Sequence, residues 1–242
     1  MIHVDRRGPV TLVRLDRPDR RNALDLETCI ELAGIVRAAP AEGARVIVVG
    51  GEGPHFCAGA DLSGVEDGAF IGALHDALDA LATVPVPTIA AVQGAALGAG
   101  TQLAIACDLR VAEATARFGI PAAKLGLMVD QWTVNRLAAV AGHSPARAML
   151  IAAEEYDGEA AHRIGLVHRV GDRDAALAWA DDIATLAPLT MAGHKVGLNL
   201  AADGVDDQAA YESAFRAAWA SSDHAEAMAA RSDKRTPTFE GR

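Results

Sequence analysis

The chain has 242 residues, of which 51% are hydrophobic, and this length is sufficient for one large hydrophobic core. Its net charge of −10 argues against general binding to nucleic acids or anionic membranes, because those partners require a basic surface. No run of residues reaches the ~18 apolar positions that stable membrane insertion needs. Three cysteines without CxxC spacing predict reduced thiols, so we expect a cytoplasmic protein.

The predicted elements alternate between strands and helices through most of the chain. Val10–Leu15 predicts a strand, and Asp25 predicts the N-cap of a helix that reaches Ala38. Further strands are predicted at 45–49, 88–92, 109–111 and 166–170, and further helices at 74–81 and around 103–106. From residue 132 onward the pattern is mainly helical. Alternation of this kind indicates an α/β fold.

Two short segments rich in small residues each follow a predicted buried strand. They are Phe-Cys-Ala-Gly-Ala-Asp-Leu at 56–62 and Gly-Ala-Ala-Leu-Gly-Ala-Gly-Thr-Gln at 94–102. Small residues allow the backbone to approach a ligand closely. If the two turns lie side by side, they can direct two backbone N–H groups at one oxygen atom, as in an oxyanion hole. Where an acid or base is expected beside such a site, the chain has Gln102.

Five segments in the same order resemble the crotonase superfamily of enoyl-CoA hydratases and isomerases. They are residues 16–24, 56–62, 87–108, 118–137 and 234–239. The resemblance implies a crotonase (ClpP-like) spiral of ββα repeats at 1–187, which carries an acyl-CoA site, and a C-terminal helical oligomerisation region at 188–242. It also implies a homotrimer, or a hexamer formed by two trimers. The expected ligand is an acyl-CoA thioester, with coenzyme A as part of the ligand and no separate cofactor.

The resemblance also locates an oxyanion hole. By motif matching, the two N–H groups that bind the thioester carbonyl fall on Ala58 and Ala99. The second position is usually glycine, and alanine keeps the donor while it adds one methyl group. At the start of a helix, the second donor gains from the positive end of the helix dipole. The alternative is that Gly98 and Gly100 only permit close packing of a helix on a strand.

Segments 21–24 and 58–62 resemble the coenzyme A clamp of the family, in which backbone groups contact adenine and pantetheine. Arg17, Arg20 and Arg21 are candidate phosphate partners, and for each the alternative is a solvated surface charge. Asp61 has the alternative of capping the following turn. The substrate-binding residues that the resemblance implies are Arg21, Ala23, Leu24, Ala58, Gly59, Ala60, Asp61, Leu62, Gly98, Gln102, Ala122 and Trp132.

Both acidic residues of the family's hydratases are missing. Those enzymes hold a water between two glutamates, one acting as base and the other as acid. The matching positions here are Gln102 and Ala122. An amide does not act as a base near neutral pH, and a methyl group has no polar atom. Each lost proton-transfer group removes roughly 10²–10⁴-fold in rate, so we expect inefficient hydration of enoyl-CoA.

Asp130 is the candidate catalytic residue. It matches a position where dienoyl-CoA isomerases and the haloaryl-CoA dehalogenase carry an aspartate, as base or nucleophile. In a mostly apolar pocket its pKa would be raised, as suits a base. The alternative is that Asp130 caps the helix that begins near Trp132. Trp132 is expected to pack against the acyl chain or within the core, and Lys195 is expected to approach the coenzyme A of a neighbouring subunit.

Three hypotheses follow from these residues. The first is an acyl-CoA-binding protein without hydratase activity, which resembles a mycobacterial branch of the family with glutamine and alanine at the two glutamate positions. The second is an isomerase or hydrolase that uses Asp130. The third is an enoyl-CoA hydratase with a displaced acid–base pair. The eight histidines show no HExxH or paired spacing, so we expect no metal site.

Overall fold

The computed structural model describes residues 1–61, 68–205 and 207–242. Its strands are β1 (Ile2–Arg7), β2 (Val10–Leu15), β3 (Val46–Gly51), β4 (Thr88–Val92), β5 (Ala95–Leu97), β6 (Leu109–Ala112), β7 (Arg117–Gly119), β8 (Glu155–Asp157) and β9 (Arg169–Val170). Its helices are α1 (Leu26–Ala38), α2 (Gly68–Thr83), α3 (Ala99–Ala106), α4 (Gln131–Ala141), α5 (His143–Ile151), α6 (Gly158–Arg163), α7 (Arg173–Ile183), α8 (Pro188–Asp203), α9 (Gln208–Trp219) and α10 (Ser222–Asp233). The predicted α/β class is confirmed.

The main sheet contains six strands in the order β1-β2-β3-β4-β6-β9. Strand β1 is antiparallel to β2, and every later neighbouring pair is parallel. Parallel neighbours require crossover connections, and α1, α2 and α3 lie in the connections between β2, β3, β4 and β6. Strands β5, β7 and β8 form a second, smaller sheet. The segment β4-β5-α3 is therefore one ββα unit, and the glycine-rich turn lies within it, between β5 and α3.

Both faces of the main sheet are buried, as is typical of a largely parallel sheet. On one face, Val13, Ile47 and Val49 join a core cluster that includes the inner sides of α1, α2 and α3. On the other face, alternate residues such as Leu12 and Val48 pack with residues of α7. Because successive side chains of a strand point in opposite directions, one run of apolar residues supplies both clusters.

The predicted elements are largely found at the expected positions. Strands β2 and β4 have the predicted bounds, and α1 begins after Asp25, whose carboxylate accepts the Thr28 N–H at 2.9 Å. The strand predicted at 166–170 is wrong in length, because only Arg169–Val170 pairs with a neighbour. Leu166 and Val167 belong to no strand, and their apolar side chains are instead buried in the main core cluster.

The C-terminal helices combine a polar attachment with exposed apolar side chains. Helix α8 is fixed to the core by Lys195 and by Asn199, whose Nδ2 donates to the Ala82 carbonyl at 2.6 Å. In contrast, half or more of the surface of Phe215 and Trp219 is exposed. A cavity of about 360 Å³ lies between α8, α9 and α10 and contains none of the predicted site residues. The division at residue 188 and the assembly state stay predictions. Across the described ranges, no helix is both long and apolar enough to cross a membrane.

Candidate functional site

The turn between β5 and α3 depends on glycine. Gly98 has a φ of +53°, a backbone conformation that residues with a side chain seldom adopt. A Cβ atom on Gly100 would lie 2.0 Å from the Cys57 carbonyl oxygen, so no side chain fits there. Close packing at Gly100 is therefore present; it is compatible with an oxyanion hole at this turn, which stays a prediction. The same packing brings the two small-residue turns into contact.

The segment 56–61 lies between two neighbouring stretches of backbone. On one side, the Cys57 N–H donates to the Ala95 carbonyl at 2.9 Å, and the Leu97 N–H donates to the Cys57 carbonyl at 3.0 Å. On the other side, the Leu24 N–H donates to the Gly59 carbonyl at 2.8 Å, and the Asp61 N–H donates to the Leu24 carbonyl at 2.7 Å. The structure thus joins the predicted clamp segment 21–24 to both turns.

These hydrogen bonds argue against Ala58 as an oxyanion donor. The Ala58 N–H donates to the Arg21 carbonyl oxygen at 3.0 Å, so this amide is already paired within the chain. Successive N–H groups of an extended chain point in opposite directions, so the Ala60 N–H points away from the partner of the Asp61 N–H. Within the described part of the chain, the Ala60 N–H donates no hydrogen bond. The unpaired amide of this segment belongs to Ala60, two residues from the predicted position.

The start of α3 supplies a second set of unpaired donors. No side chain caps this helix, and Gly98 directs its own N–H to the Gly119 carbonyl at 2.8 Å. Among the described residues, the N–H groups of Ala99, Gly100 and Thr101 have no hydrogen-bond acceptor. These groups carry the partial positive charge of the helix N-terminus. Ala99 therefore begins α3 with an N–H group that has no acceptor among the described residues, and its role as an oxyanion donor stays a prediction.

The two positions that match the family's glutamates hold side chains that are not acidic. Gln102 is buried in the first turn of α3, and its Nε2 donates to Thr133 Oγ1 at 2.8 Å. The Gln102 amide therefore holds α3 against the start of α4. Ala122 is half-buried and packs with its methyl group against the main core cluster.

Asp130 forms the N-cap of α4. Its Oδ1 accepts the Thr133 N–H at 2.9 Å, and its Oδ2 lies 3.3 Å from His75 Nδ1 in α2. The expected raised pKa is wrong. Burial does raise the pKa of Asp130, but the hydrogen bonds from Thr133 and His75 outweigh that effect and hold it below its usual value. The side chain is also 41% exposed, so it does not lie in an enclosed apolar pocket. The cap that was the alternative role is present, and a catalytic role stays a prediction.

Sequence reasoning missed residues that come from distant parts of the chain. His75 meets Asp130 although 55 positions separate them, and no motif spacing connects the two. Leu74 and Val129 were also missed. Both are half-buried against the core cluster that Ala60, Ala122 and Trp132 contact. One feature of the sequence bears on His75: the residue lies in a predicted helix and immediately follows an apolar residue.

Comparison with known proteins identifies the family. A family model described as enoyl-CoA hydratase/isomerase matches residues 5–242. The chain belongs to this family. It is 43% identical over 247 residues to the protein named probable enoyl-CoA hydratase echA6 of Mycobacterium tuberculosis, and the alignment covers 100% of both chains. It is 32% identical to the human mitochondrial methylglutaconyl-CoA hydratase over 255 residues, which are 98% of this chain and 75% of the relative.

Solved structures of this family share the fold. The structure of an enoyl-CoA hydratase/carnithine racemase from Magnetospirillum magneticum matches with a TM-score of 0.91 and 30% identity, covering 100% of this chain and 96% of the other. An enoyl-CoA hydratase from Bacillus anthracis matches with the same TM-score of 0.91 and 27% identity, covering 100% and 99%. The crotonase fold expected from the sequence is therefore confirmed.

The predicted clamp residues of this crotonase-family chain have mixed surroundings. Arg17 forms ion pairs with Asp25 at 3.0 Å and with Asp61 at 3.1 Å, so its positive charge is already paired with carboxylates of the chain. Arg20 and Arg21 are exposed, and Arg21 has a φ of +52°. Leu24 is buried and Ala23 is half-buried, whereas Leu62 lies outside the described residues. Nothing in the structure tests the contacts of these residues with ligand, so the clamp stays a prediction.

The expectation for Lys195 is wrong. Its Nζ donates to Asp108 Oδ2 at 2.8 Å and to the carbonyl oxygens of Leu81 and Val86 at 2.9 and 3.2 Å. Burial lowers the pKa of Lys195, and the charge of Asp108 opposes that effect. This ammonium group fastens α8 to the core and does not reach a ligand of another subunit.

The three cysteines are free thiols, as the sequence predicts. Cys29, Cys57 and Cys107 are all buried, and burial raises the pKa of each to about 12. The described residues contain no cluster of histidine, cysteine or carboxylate side chains that could hold a metal ion.

Proposed function

We propose that this crotonase-family protein binds acyl-CoA thioesters and does not hydrate enoyl-CoA efficiently. The observation that carries the proposal is the combination of two unpaired amides with two neutral side chains. The N–H groups of Ala60 and Ala99 have no acceptor among the described residues, so they can donate to a carbonyl oxygen. Gln102 and Ala122 occupy the positions at which the family's hydratases carry their acid and base.

The backbone geometry supports the proposed binding of the thioester. A Cβ atom added to Gly98 would lie 3.9 Å from the Cα atom of Gly59, so the two turns are adjacent. An oxygen between them would accept one hydrogen bond from each segment and would meet the positive end of α3. Coenzyme A would then extend along segments 21–24 and 58–62. We propose a homotrimer or hexamer, because the exposed apolar side chains of α9 offer a surface that subunit contacts would cover. We also propose that the protein is cytoplasmic.

Weak hydration follows from the side chains beside the hole. The Gln102 amide does not accept a proton from water near neutral pH, and its Nε2 is engaged with Thr133. Ala122 donates no proton to the substrate carbon. The names of the relatives favour hydration, whereas these two residues argue against it. Loss of both groups corresponds to about 10²–10⁴-fold in rate for each.

Two measurements on the same protein test this proposal. Isothermal titration with crotonyl-CoA and with a saturated long-chain acyl-CoA should show binding. Loss of the enoyl absorbance at high protein concentration should remain far below the roughly 1–10³ s⁻¹ of typical enzymes. Hydration within that range would contradict the proposal and would support a displaced acid–base pair.

A pair of variants locates the deficit. The double variant Gln102→Glu with Ala122→Glu should gain hydratase activity, because it restores both carboxylates. The single variant Gln102→Glu is the matched control, and it should gain less because the second proton-transfer group is still missing. A double variant that binds crotonyl-CoA but shows no gain would mean that the loss of carboxylates does not explain the low rate.

A further inference from the structure

The 17–25 loop, which connects β2 to α1, contains two adjacent residues in a left-handed backbone conformation. Arg21 has a φ of +52° and Asn22 has a φ of +57°, although neither residue is glycine. Residues with a side chain seldom adopt such angles, and they keep them only where the surrounding structure fixes them. The Arg21 carbonyl accepts the Ala58 N–H at 3.0 Å, so the loop lies directly against the segment that carries the Ala60 amide.

The buried side chain of Asn22 fixes one side of the loop. Its Oδ1 accepts the Arg17 N–H at 2.9 Å, and its Nδ2 donates to the carbonyl oxygens of Glu52 and His55 at 2.9 and 2.7 Å. Both hydrogens of the amide are therefore used. Because His55 directly precedes the segment 56–61, the loop is attached to the beginning of that segment.

Arg17 fixes the other side of the loop through its guanidinium group. Nη1 donates to the Ala23 carbonyl at 2.6 Å and lies 3.0 Å from Asp25 Oδ2, and Nη2 donates to Asp61 Oδ2 at 3.1 Å. The side chains of Arg17 and Asp61 are only 22% and 14% exposed, so their contact is partly shielded from water. One planar cation thus connects a carboxylate of the loop with a carboxylate at the end of the segment 56–61.

These contacts surround the Ala60 amide. The Gly59 carbonyl and the Asp61 N–H both bond to Leu24, so Leu24 and Ala60 form a parallel bridge. In such a bridge, the residue between the two bonded groups turns its own N–H to the opposite side. Arg17 spans the bridge, since it holds the residue that precedes Leu24 and the residue that follows Ala60. Its guanidinium group therefore supports the direction in which the Ala60 N–H points.

We propose that Arg17 is a positioning residue for the thioester carbonyl. By joining the 17–25 loop to Asp61, it holds the Ala60 N–H in the direction from which this group donates to the carbonyl oxygen. The inference rests on the proposed function, because it requires the Ala60 amide to bind that oxygen. Arg17 then serves the site through the backbone, and not as a phosphate partner.

The stretching frequency of the bound thioester carbonyl tests this role. A hydrogen bond to the carbonyl oxygen weakens the C=O bond and lowers the frequency. The probe is octanoyl-CoA with ¹³C at the thioester carbonyl, measured at saturation by infrared difference spectroscopy. The native protein should lower the frequency relative to the ligand in buffer, and Arg17→Met should bring it back toward that of the ligand in buffer. Isothermal titration should show a Kd about 3–10-fold higher for Arg17→Met, as expected for one lost hydrogen bond.

Three further variants separate positioning from a merely structural role, which would lower Tm but leave the bound carbonyl at the native frequency. Arg17→Lys keeps the charge without the planar fork, so it should recover part of the frequency shift. Asp61→Asn weakens the same contact from its other end and should change the frequency in the same direction as Arg17→Met. Arg163→Met is the matched control, because it removes an exposed arginine that is paired with Glu159 at 3.8 Å, and it should behave like the native protein.

The possible results distinguish this inference from the proposed function. The native frequency in both Arg17→Met and Asp61→Asn would overturn the role of Arg17 and leave acyl-CoA binding intact. If Arg17→Met does not fold, Arg17→Lys and Asp61→Asn decide the question by the same measurement. If octanoyl-CoA binds to the native protein but keeps its frequency in buffer, the carbonyl contact and the role of Arg17 are both refuted. Absence of binding in the titration would refute the proposed function itself.

Discussion

Two of the ion pairs in this molecule, Lys195 with Asp108 and His75 with Asp130, differ in almost every physical respect. Lys195 and Asp108 are 8% and 22% exposed, and the ammonium group donates to three acceptors. His75 and Asp130 are 56% and 41% exposed, and one ring nitrogen of the histidine has no partner within the described residues. A buried charge must be fully paired to be tolerated, whereas a half-exposed pair can keep unused capacity. The first pair is therefore fully engaged in holding the fold together, whereas the second keeps an imidazole nitrogen without a partner among the described residues.

The largest effect should follow from breaking the buried pair. Lys195→Met removes the ammonium group and leaves the Asp108 carboxylate without its cation. We expect the free energy of unfolding to fall by about 3–5 kcal/mol, as for other broken buried pairs. Urea denaturation followed by circular dichroism measures the change. Lys124→Met, at an exposed position, is the matched control and should change stability little. If Lys195→Met lowers the free energy of unfolding by less than about 1 kcal/mol, the prediction is wrong, because that is the contribution of a solvent-exposed ion pair.

The glycine-rich turn should be the next most sensitive region. In Gly100→Ala the added methyl group meets the Cys57 carbonyl oxygen at 2.0 Å, so the two turns must separate. We expect a loss of about 1–3 kcal/mol in stability, and weaker acyl-CoA binding because the free amides move apart. Gly34→Ala in α1 is the control, since no atom lies within 4 Å of its added Cβ. Native affinity in Gly100→Ala would show that binding does not require these turns to be in contact.

The half-exposed pair should matter least for stability. Asp130→Ala removes the N-cap of α4 and should cost about 1 kcal/mol. The folded state lowers the pKa of Asp130, so its carboxylate stabilises the fold above the usual aspartate pKa. That contribution disappears as the pH falls through the lower pKa of the folded state. The stability difference between native protein and variant should therefore shrink in acid. Asp181→Ala, an exposed aspartate within α7, should show no such dependence, and an equal dependence in both variants would refute the cap as its source.

Local features were predictable from the sequence and long-range contacts were not. Asp25 was predicted correctly as an N-cap, and the cap weighed for Asp130 is present, because capping depends on the next three residues of the chain. The donor position was predicted as Ala58, because motif matching does not show which way each amide points. Hydrogen bonds to Arg21 and Leu24 reveal that direction. Lys195 and His75 are separated from their partners by 87 and 55 positions of the chain. Only the folded structure shows that the Lys195 ammonium group donates to three acceptors, whereas one ring nitrogen of His75 has no partner among the described residues.

Cys57 lies in the segment that carries the free Ala60 amide, and its thiol is fully buried with a pKa of about 12. Reaction with oxidants and alkylating reagents requires the thiolate and access to solvent. The folded segment therefore supplies neither condition, although it borders the place where a thiol-bearing coenzyme is proposed to bind. A mixed disulfide with coenzyme A would require a Cys57 thiolate to attack an oxidised coenzyme A disulfide, and the buried, protonated thiol does not meet that requirement while the two turns remain packed together. If coenzyme A binds there as proposed, its thiol meets no reactive thiol on this segment.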